Sequence, residues 1–324
     1  MDEQMQARRR DPAFIRQVLA EGYEIGRRAT AKGKVADYIP ELAKADPGAF
    51  GLCMLDGRGE SIAFGETEKR FSMQSICKVI ILALALKIRG FKETFSHVMM
   101  EPSGDAFNSI LKLDTRSNLP FNPMINAGAI ETTSLLVPYL DFEEIMAYAR
   151  ELCLDPRVEL DEAVYRSEFQ TGDRNRAIVY LLKSKGVMEE DPEKTVDLYF
   201  KLCSLSVSAR SLAGLGLVIA NGGTDPFTGR RLIDREYVRT IKSIMFTCGM
   251  YDYSGKFGVQ AGVPSKSGVG GGIVCAAKGP MGFGFYGPAL DAFGNSSGAV
   301  KAMVHISQEL GLHIFESESQ IVRI

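Results

Sequence analysis

Histidine is scarce in this sequence. Only His97, His305 and His313 occur among 324 residues, and none stands beside a candidate nucleophile. A Ser-His-Asp triad, which needs an imidazole as its base, is therefore disfavoured. Gly294-Asn295-Ser296-Ser297-Gly298 matches the G-x-S-x-G elbow in form, but that motif needs an acid and then a histidine downstream, and His305 precedes Glu309, Glu316 and Glu318. Metal-ligand spacing is also missing. The six cysteines (Cys53, Cys77, Cys153, Cys203, Cys248 and Cys275) lie far apart, with no C-x-x-C pair and no Cys/His cluster. They read as reduced, mostly buried thiols of a cytoplasmic protein.

A basic excess is missing too: 38 Lys and Arg stand against 40 Asp and Glu, a formal net charge of −2. Nothing here would draw a phosphate backbone, so nucleic acid is not an expected partner. Membrane insertion is excluded in the same way. The longest apolar series, Val79 to Leu86, is closed by Lys87, Arg89 and Gly90, well short of the ~20 residues a spanning helix needs. Met1 to Arg10 carries charges of both signs and no apolar core of a secretory signal. What remains, at 45% hydrophobic and 24% charged, is an ordinary soluble chain with room for one large domain or two closely packed ones.

Local patterns give the order of elements. Asp11-Pro12 predicts a capped helix running to about Ala31, with Gly33 as its stop. Phe50 to Leu55 and Ser61 to Phe64 flank a glycine turn and predict a β-hairpin; Gly272 to Ala277 and Met281 to Tyr286 predict a second. Between the hairpins, from Ser75 to about Gly214, helices are expected with little strand, among them Asp141 to Leu152 and one long helix from Asp197 to Ile219. A closing helix is expected from about Ser297 to Leu310. Sheet elements at both ends with helices between argue for an α/β layer interrupted by a helical insertion: residues 1–72 with 215–324 as the sheet unit, 73–214 as the helical unit, and an active site between them.

Ser75 and Lys78 form an S-x-x-K pair at the head of the apolar series. Residues three apart share a helix face, so the amine lies one turn along from the hydroxyl. A serine needs a base, and a lysine serves as one when burial or nearby positive charge lowers its pKa. A helix N-terminus beside Ser75 would also stabilise negative charge on an attacked carbonyl. The same four residues equally describe a serine that caps a core helix and a solvated lysine. Ser109 and Lys112 repeat the pattern, but they run quickly into Asp114, Arg116 and a break at Pro120.

Two further segments bear on chemistry. Lys266-Ser267-Gly268 leads into a predicted strand, where it could present backbone N–H groups and a positive charge to a substrate; the plainer reading is a glycine loop before a hairpin. With an upstream S-x-x-K it approaches the pairing of β-lactamases and penicillin-binding proteins, whose S-D-N element this chain lacks. Arg166 to Ala177 crowds acids, bases and amides into a stretch expected as a solvated loop or helix cap. Its functional reading is a zwitterion clamp, with Glu168 for an ammonium and Asn175 for a carboxylate.

Taken together, Val35-Ala36-Asp37-Tyr38-Ile39-Pro40, Gln74-Ser75-Ile76-Cys77-Lys78, Asn122 to Ile130, Ser167-Glu168 with Gly172 to Asn175, Tyr199 to Ser204, Cys248 to Asp252 and Lys266 to Val269 resemble the serine-dependent glutaminases. The resemblance implies a β-lactamase-like three-layer α/β sandwich, with an antiparallel sheet and an inserted helical domain. It implies Ser75 as acylated nucleophile, Lys78 as base, and Tyr38 and Tyr251 as nearby phenols that relay protons or orient substrate. It further implies an oxyanion hole from the N–H groups of Ser75 and Val269, and Asn126, Glu168, Asn175, Tyr199 and Tyr251 as contacts to L-glutamine. A homodimer or homotetramer without metal or organic cofactor is implied as well. Lys201 stands where the family often has Gln. A penicillin-recognising serine hydrolase and a catalytically silent amino-acid-binding protein are the rival readings.

Overall fold

The computed structural model describes residues 7–9, 11–102 and 118–316. The second S-x-x-K pair, Ser109 and Lys112, and the residue Glu318 lie outside the described residues. The chain opens with α1 (Pro12–Ala29), capped by Asp11, whose carboxylate accepts from the Ala13 N–H at 3.1 Å. The hairpin β1 (Gly51–Asp56) and β2 (Ser61–Gly65) follows, then β3 (Phe71–Ser72), a 3-10 turn at Gln74–Ile76, and α2 (Cys77–His97). Next come α3 (Asn126–Ser134), α4 (Phe142–Leu152), β4 (Glu159–Leu160), α5 (Glu162–Thr171), α6 (Asp173–Ser184), α7 (Pro192–Cys203), β5 (Leu205–Val207) and α8 (Ala209–Ala220). The last stretch holds α9 (Arg235–Cys248), α10 (Ser254–Gln260), β6 (Ser265–Ser267), the hairpin β7 (Gly272–Ala277) and β8 (Met281–Tyr286), and α11 (Ser297–Leu310).

The main sheet has the order β2-β1-β8-β7-β6, and every neighbouring pair is antiparallel. Successive strand side chains point to opposite faces. Leu52, Met54, Ile273, Phe283 and Phe285 accordingly share a core with Val18 and Leu19 of α1 and Met303 and Ile306 of α11. Cys53, Leu55, Val274 and Ala276 belong to a second core with α2 and α8. The result is helices, sheet, helices, as the resemblance implied. Close packing of α8 is made possible by Gly282 and Gly284 of β8, where an added Cβ would collide with backbone atoms of Ala213, Leu217 and Ala209.

The helix expected from Asp197 to Ile219 is in fact two helices with a strand between them. β5 pairs antiparallel with β3 and with β4, forming a small second sheet inside the helical stretch. Ser208 then starts α8 with a capping box, in which it and Ser211 satisfy each other's backbone N–H. The expected boundary between residues 214 and 215 falls inside α8, which packs along its length on the sheet. The Arg166 to Ala177 stretch, expected as a loop or cap, is the junction of α5 and α6 around Gly172.

The apolar series of α2 is buried from Val79 to Leu86, at most 4% exposed. Each large aliphatic side chain so buried contributes roughly 1.5–3 kcal/mol. That burial fixes the helix whose first turn carries Lys78. Gly90, with φ 74°, kinks the helix just past the series. None of the described helices is long and apolar enough to cross a membrane.

Candidate active site

Ser75 lies in the 3-10 turn directly before α2. The turn is pinned at its entry by the Met73 N–H, which donates to the Leu205 carbonyl of β5 at 2.7 Å. Gln74 adopts φ 49°, a left-handed backbone that a non-glycine residue takes only when its surroundings impose it. Its side chain provides one such restraint: Gln74 Nε2 donates to Glu168 Oε2 at 3.2 Å. Ser75 is thus presented on a constrained turn, buried but lining a cavity.

Lys78 is wholly buried, and its Nζ donates to Ser75 Oγ at 2.9 Å and to Asn126 Oδ1 at 2.7 Å. Burial pulls its pKa down to about 8, against smaller opposing effects from Cys203, Cys77 and Glu168. The network fixes the amides as well. Because Asn126 Oδ1 accepts from Lys78, its Nδ2 donates to Asn175 Oδ1 at 3.0 Å. Tyr199, fully buried, donates from Oη to the same Asn126 oxygen at 3.4 Å.

The cavity measures about 270 Å³. Tyr38, Ser75, Asn126, Glu168, Asn175 and Tyr199 all line it, so six residues named from sequence meet in one place. Glu168 is 5% exposed. Burial pushes its pKa up to about 7, while the Gln74 amide and the Lys78 charge work the other way. A buried carboxyl that lines the cavity suits a cationic group arriving with a ligand. The loop or cap expected here would have left Glu168 in solvent. Gln74, Cys203 and Arg174 also line the cavity and were not singled out from sequence. Gln74 could have been, since it adjoins Ser75; nothing in the sequence marks Cys203.

Tyr251 and Val269 are not among the residues that line this cavity; Tyr251 meets the site through Ser75, and Val269 lies in a loop packed on the Ser75 turn. Tyr251, also at a left-handed φ of 53°, hydrogen-bonds the Ser75 side chain and donates to the Ser267 carbonyl at 3.2 Å. Burial pushes its phenol pKa well above the usual range, and burial does the same to Tyr38, although that residue as a whole is 54% exposed. Val269 sits between Gly268 and Gly270, where any Cβ would press on the Met73 and Ser72 carbonyl oxygens. The two glycines therefore seat the 268–270 loop on the Ser75 turn. Lys266 does not offer its charge to the cavity, as the sequence reading allowed. It is fully buried, donates to the Gly249 and Ser267 carbonyls at 3.1 and 2.6 Å, and lies 4.4 Å from the Tyr251 ring centre. Burial and the nearby Lys78 lower its pKa.

The three histidines lie elsewhere. His97 contacts Glu131 and Glu93, His305 approaches Glu21, and His313 accepts from the Phe315 N–H. Ser296, the rejected elbow serine, caps α11 by accepting from the Ala299 N–H at 3.4 Å.

The profile of the glutaminase family matches residues 33–315. Glutaminase 2 of Clostridium perfringens is 48% identical over 296 residues, spanning 90% of this chain and 97% of that protein. The glutaminase of Clostridioides difficile is 43% identical over 309 residues, spanning 94% and 99%. Among solved structures, the probable glutaminase YbaS superposes with a TM-score of 0.89 at 33% identity, covering 95% of this chain and all of that one, 100%. A covalent complex of Bacillus subtilis glutaminase with 5-oxo-L-norleucine, formed from 6-diazo-5-oxo-L-norleucine, gives 0.83 at 36% identity over 92% of this chain and 98% of that one. With a serine held by a buried lysine and a buried glutamate lining one cavity, and with matches of this length, the chain belongs to the glutaminase family, an enzyme family of β-lactamase-like fold.

Proposed function

We propose that this enzyme hydrolyses the side-chain amide of L-glutamine to L-glutamate and ammonia through an ester on Ser75, with Lys78 as base. The observation that carries the reading is the 2.9 Å contact between Ser75 Oγ and a lysine whose pKa burial brings to about 8. At pH 7 about a tenth of such a lysine is neutral, against roughly one part in 2,500 for a free side chain. The two phenols, Tyr38 and Tyr251, are pushed the opposite way and stay protonated. They act as donors and proton relays.

The geometry supports the following sequence of events. Glu168 takes the α-ammonium, and Asn175, Asn126 and Tyr199 hold the rest of the amino-acid end, which aims the amide at Ser75. Neutral Lys78 accepts the hydroxyl proton as Oγ adds to the carbonyl. The N–H groups of Ser75 and Val269 receive the oxyanion, the loop that carries Val269 being seated on the Ser75 turn. Lys78, with Tyr251 beside Ser75, returns the proton to the leaving nitrogen, and ammonia departs. Water then attacks the γ-glutamyl ester with Lys78 again as base.

Support comes from the Bacillus subtilis relative, whose structure holds a covalent adduct of a glutamine-like diazoketone. Incubation of this enzyme with the same diazoketone, followed by peptide mass mapping, should place the adduct on Ser75. Ser75→Ala should retain the fold and lose both adduct and ammonia release. An adduct on a cysteine or on another serine overturns the assignment. A fluorescent penicillin serves as control, since labelling by it would favour the penicillin-recognising alternative. Binding of glutamine without turnover would favour a silent amino-acid sensor. A cytoplasmic setting fits the six buried free thiols. The dimer or tetramer implied by family membership is read by sedimentation equilibrium.

A further inference from the structure

Arg70 directly precedes β3, the strand that leads into the Ser75 turn. Its guanidinium uses all three nitrogens. Nη1 donates to Asp155 Oδ2 at 2.8 Å, Nε to Ser206 Oγ at 3.2 Å, and Nη2 to the Arg157 carbonyl at 2.7 Å and to the Ser206 carbonyl. Ser206 is the residue of β5 that faces Ser72 of β3 on one side and Glu159 of β4 on the other, and Asp155 and Arg157 lie just before β4. One side chain therefore ties together all three strands of the small sheet. These strands are two or three residues long, too short for their own ladders to hold them firmly.

Asp155 anchors the guanidinium and is itself built in. It is 5% exposed, and its carboxylate also accepts from Ser211 Oγ in the first turn of α8 at 2.6 Å and from the Arg157 N–H and Nε at 3.0 and 2.9 Å. Burial opposes its charge, but the hydrogen bonds from Arg157, Ser211 and Arg70 outweigh burial and hold its pKa well below the usual carboxylate range.

What this clamp restrains is the approach to the nucleophile. Met73 is held to the Leu205 carbonyl of β5, and the loop that carries Val269 rests on the Ser72 and Met73 carbonyls. Gln74 then takes its left-handed backbone, which persists only where the surroundings over-determine it. The Gln74 contact with Glu168 is one restraint; the Arg70 network, on the other side of β3, is the second.

We infer that Arg70, anchored by Asp155, is a positioning residue for the reaction: it fixes β3 against β5 and so keeps Ser75 Oγ at the Lys78 amine. The inference rests on the reading of Ser75 as nucleophile. Arg70 touches neither the cavity nor the reacting atoms, and Asn126, Glu168 and Asn175 stand on other elements, so its loss strikes the chemical step and spares the binding of the amino-acid end.

The test is Arg70→Lys in the intact enzyme, which keeps the charge but loses the planar fork that reaches Asp155, Arg157 and Ser206 together. Below the onset of unfolding, kcat for ammonia release should fall about ten- to a hundredfold, the scale of a misplacement of about 1 Å, with KM within about twofold. The saturating rate of adduct formation with 6-diazo-5-oxo-L-norleucine should fall by the same factor. Asp155→Asn should show the same split with a smaller loss, and it decides the matter should Arg70→Lys not fold. Val18→Ala, in the core that α1 shares with the main sheet, should lower the urea midpoint and leave kcat as it was. An unchanged kcat in Arg70→Lys, a KM that rises as far as kcat falls, or an equal loss of kcat in Val18→Ala would each overturn the clamp. An adduct away from Ser75 in the unaltered enzyme overturns the nucleophile and the clamp with it, whereas a Ser75 adduct that forms equally fast in Arg70→Lys counts against the clamp alone.

Discussion

The pH dependence of turnover separates the two ionisations on which the mechanism depends. In the proposed mechanism Lys78 works when neutral, above its pKa of about 8, and Glu168 works when ionised, above its pKa of about 7. Both contributions are lost on acidification, so both appear on the acid side and multiply. In the free enzyme at pH 6, about 1% of Lys78 is neutral and about 10% of Glu168 is ionised, which gives kcat/KM near 0.1% of its plateau. The logarithmic slope there approaches two. kcat should behave differently: a bound ammonium holds Glu168 ionised, so only the lysine titrates in the complex and the slope is one. Because each group feels the other's charge, the two apparent values belong to the pair. Glu168→Gln removes one titration and leaves the other. It should weaken glutamine binding by roughly 1.5–3 kcal/mol, about ten- to 150-fold in KM, and reduce the kcat/KM limb to slope one. The assay is initial ammonia release across the acid and neutral range at saturating and low glutamine. A slope of one in the unaltered enzyme, or the same steep limb in Glu168→Gln, would refute the reasoning.

Lys78→Arg keeps the charge but cannot deprotonate, so it should abolish ammonia release while circular dichroism stays native; substantial turnover with an unchanged pH profile would pass the role of base to a phenol. Gly284→Ala forces a methyl group against the backbone of Ala209 and Ala213, so urea unfolding should show a loss of about 1–3 kcal/mol or more, and an unchanged midpoint would mean that α8 can shift off the sheet at no cost.

The sequence was most legible where the physics is local. Asp11-Pro12 and both glycine-turned hairpins state their conformations in a few residues, and the structure places them as read. The break between α7 and α8 was legible too, in the Leu205-Ser206-Val207 alternation and the Ser208-Ser211 capping pair. Those few residues lie within a longer apolar series whose helical period is the stronger signal. The Ser75 and Lys78 contact is one of the two arrangements that their spacing allowed. The burial of Glu168 does not follow from spacing. It depends on Gln74 arriving from residues 94 positions earlier, and a polar sequence stretch carries no sign of what will cover it. Lys266 shows the same limit: its charge was placed toward a substrate, but the carbonyls of Gly249 and Ser267 claim it once the sheet has formed.

One physical cause distributes the roles in this site. Exclusion of water disfavours whichever form of a group is charged, so burial drives Lys78 toward the free amine and Glu168, Tyr38 and Tyr251 toward the protonated state. In the proposed mechanism a lysine so treated serves as the base at neutral pH, and phenols so treated remain donors. For the carboxyl the proposed outcome depends on occupancy: its pKa of about 7 leaves it poised near neutrality, and a cation entering the cavity would favour its ionised form. On this proposal the site suits a substrate that brings its own positive charge. The fold must carry an unfavourable element to achieve this, a lysine amine with no carboxylate partner in a dry interior. It does so by giving that amine two neutral acceptors, Ser75 Oγ and Asn126 Oδ1, on a helix held by the burial of the eight residues that follow.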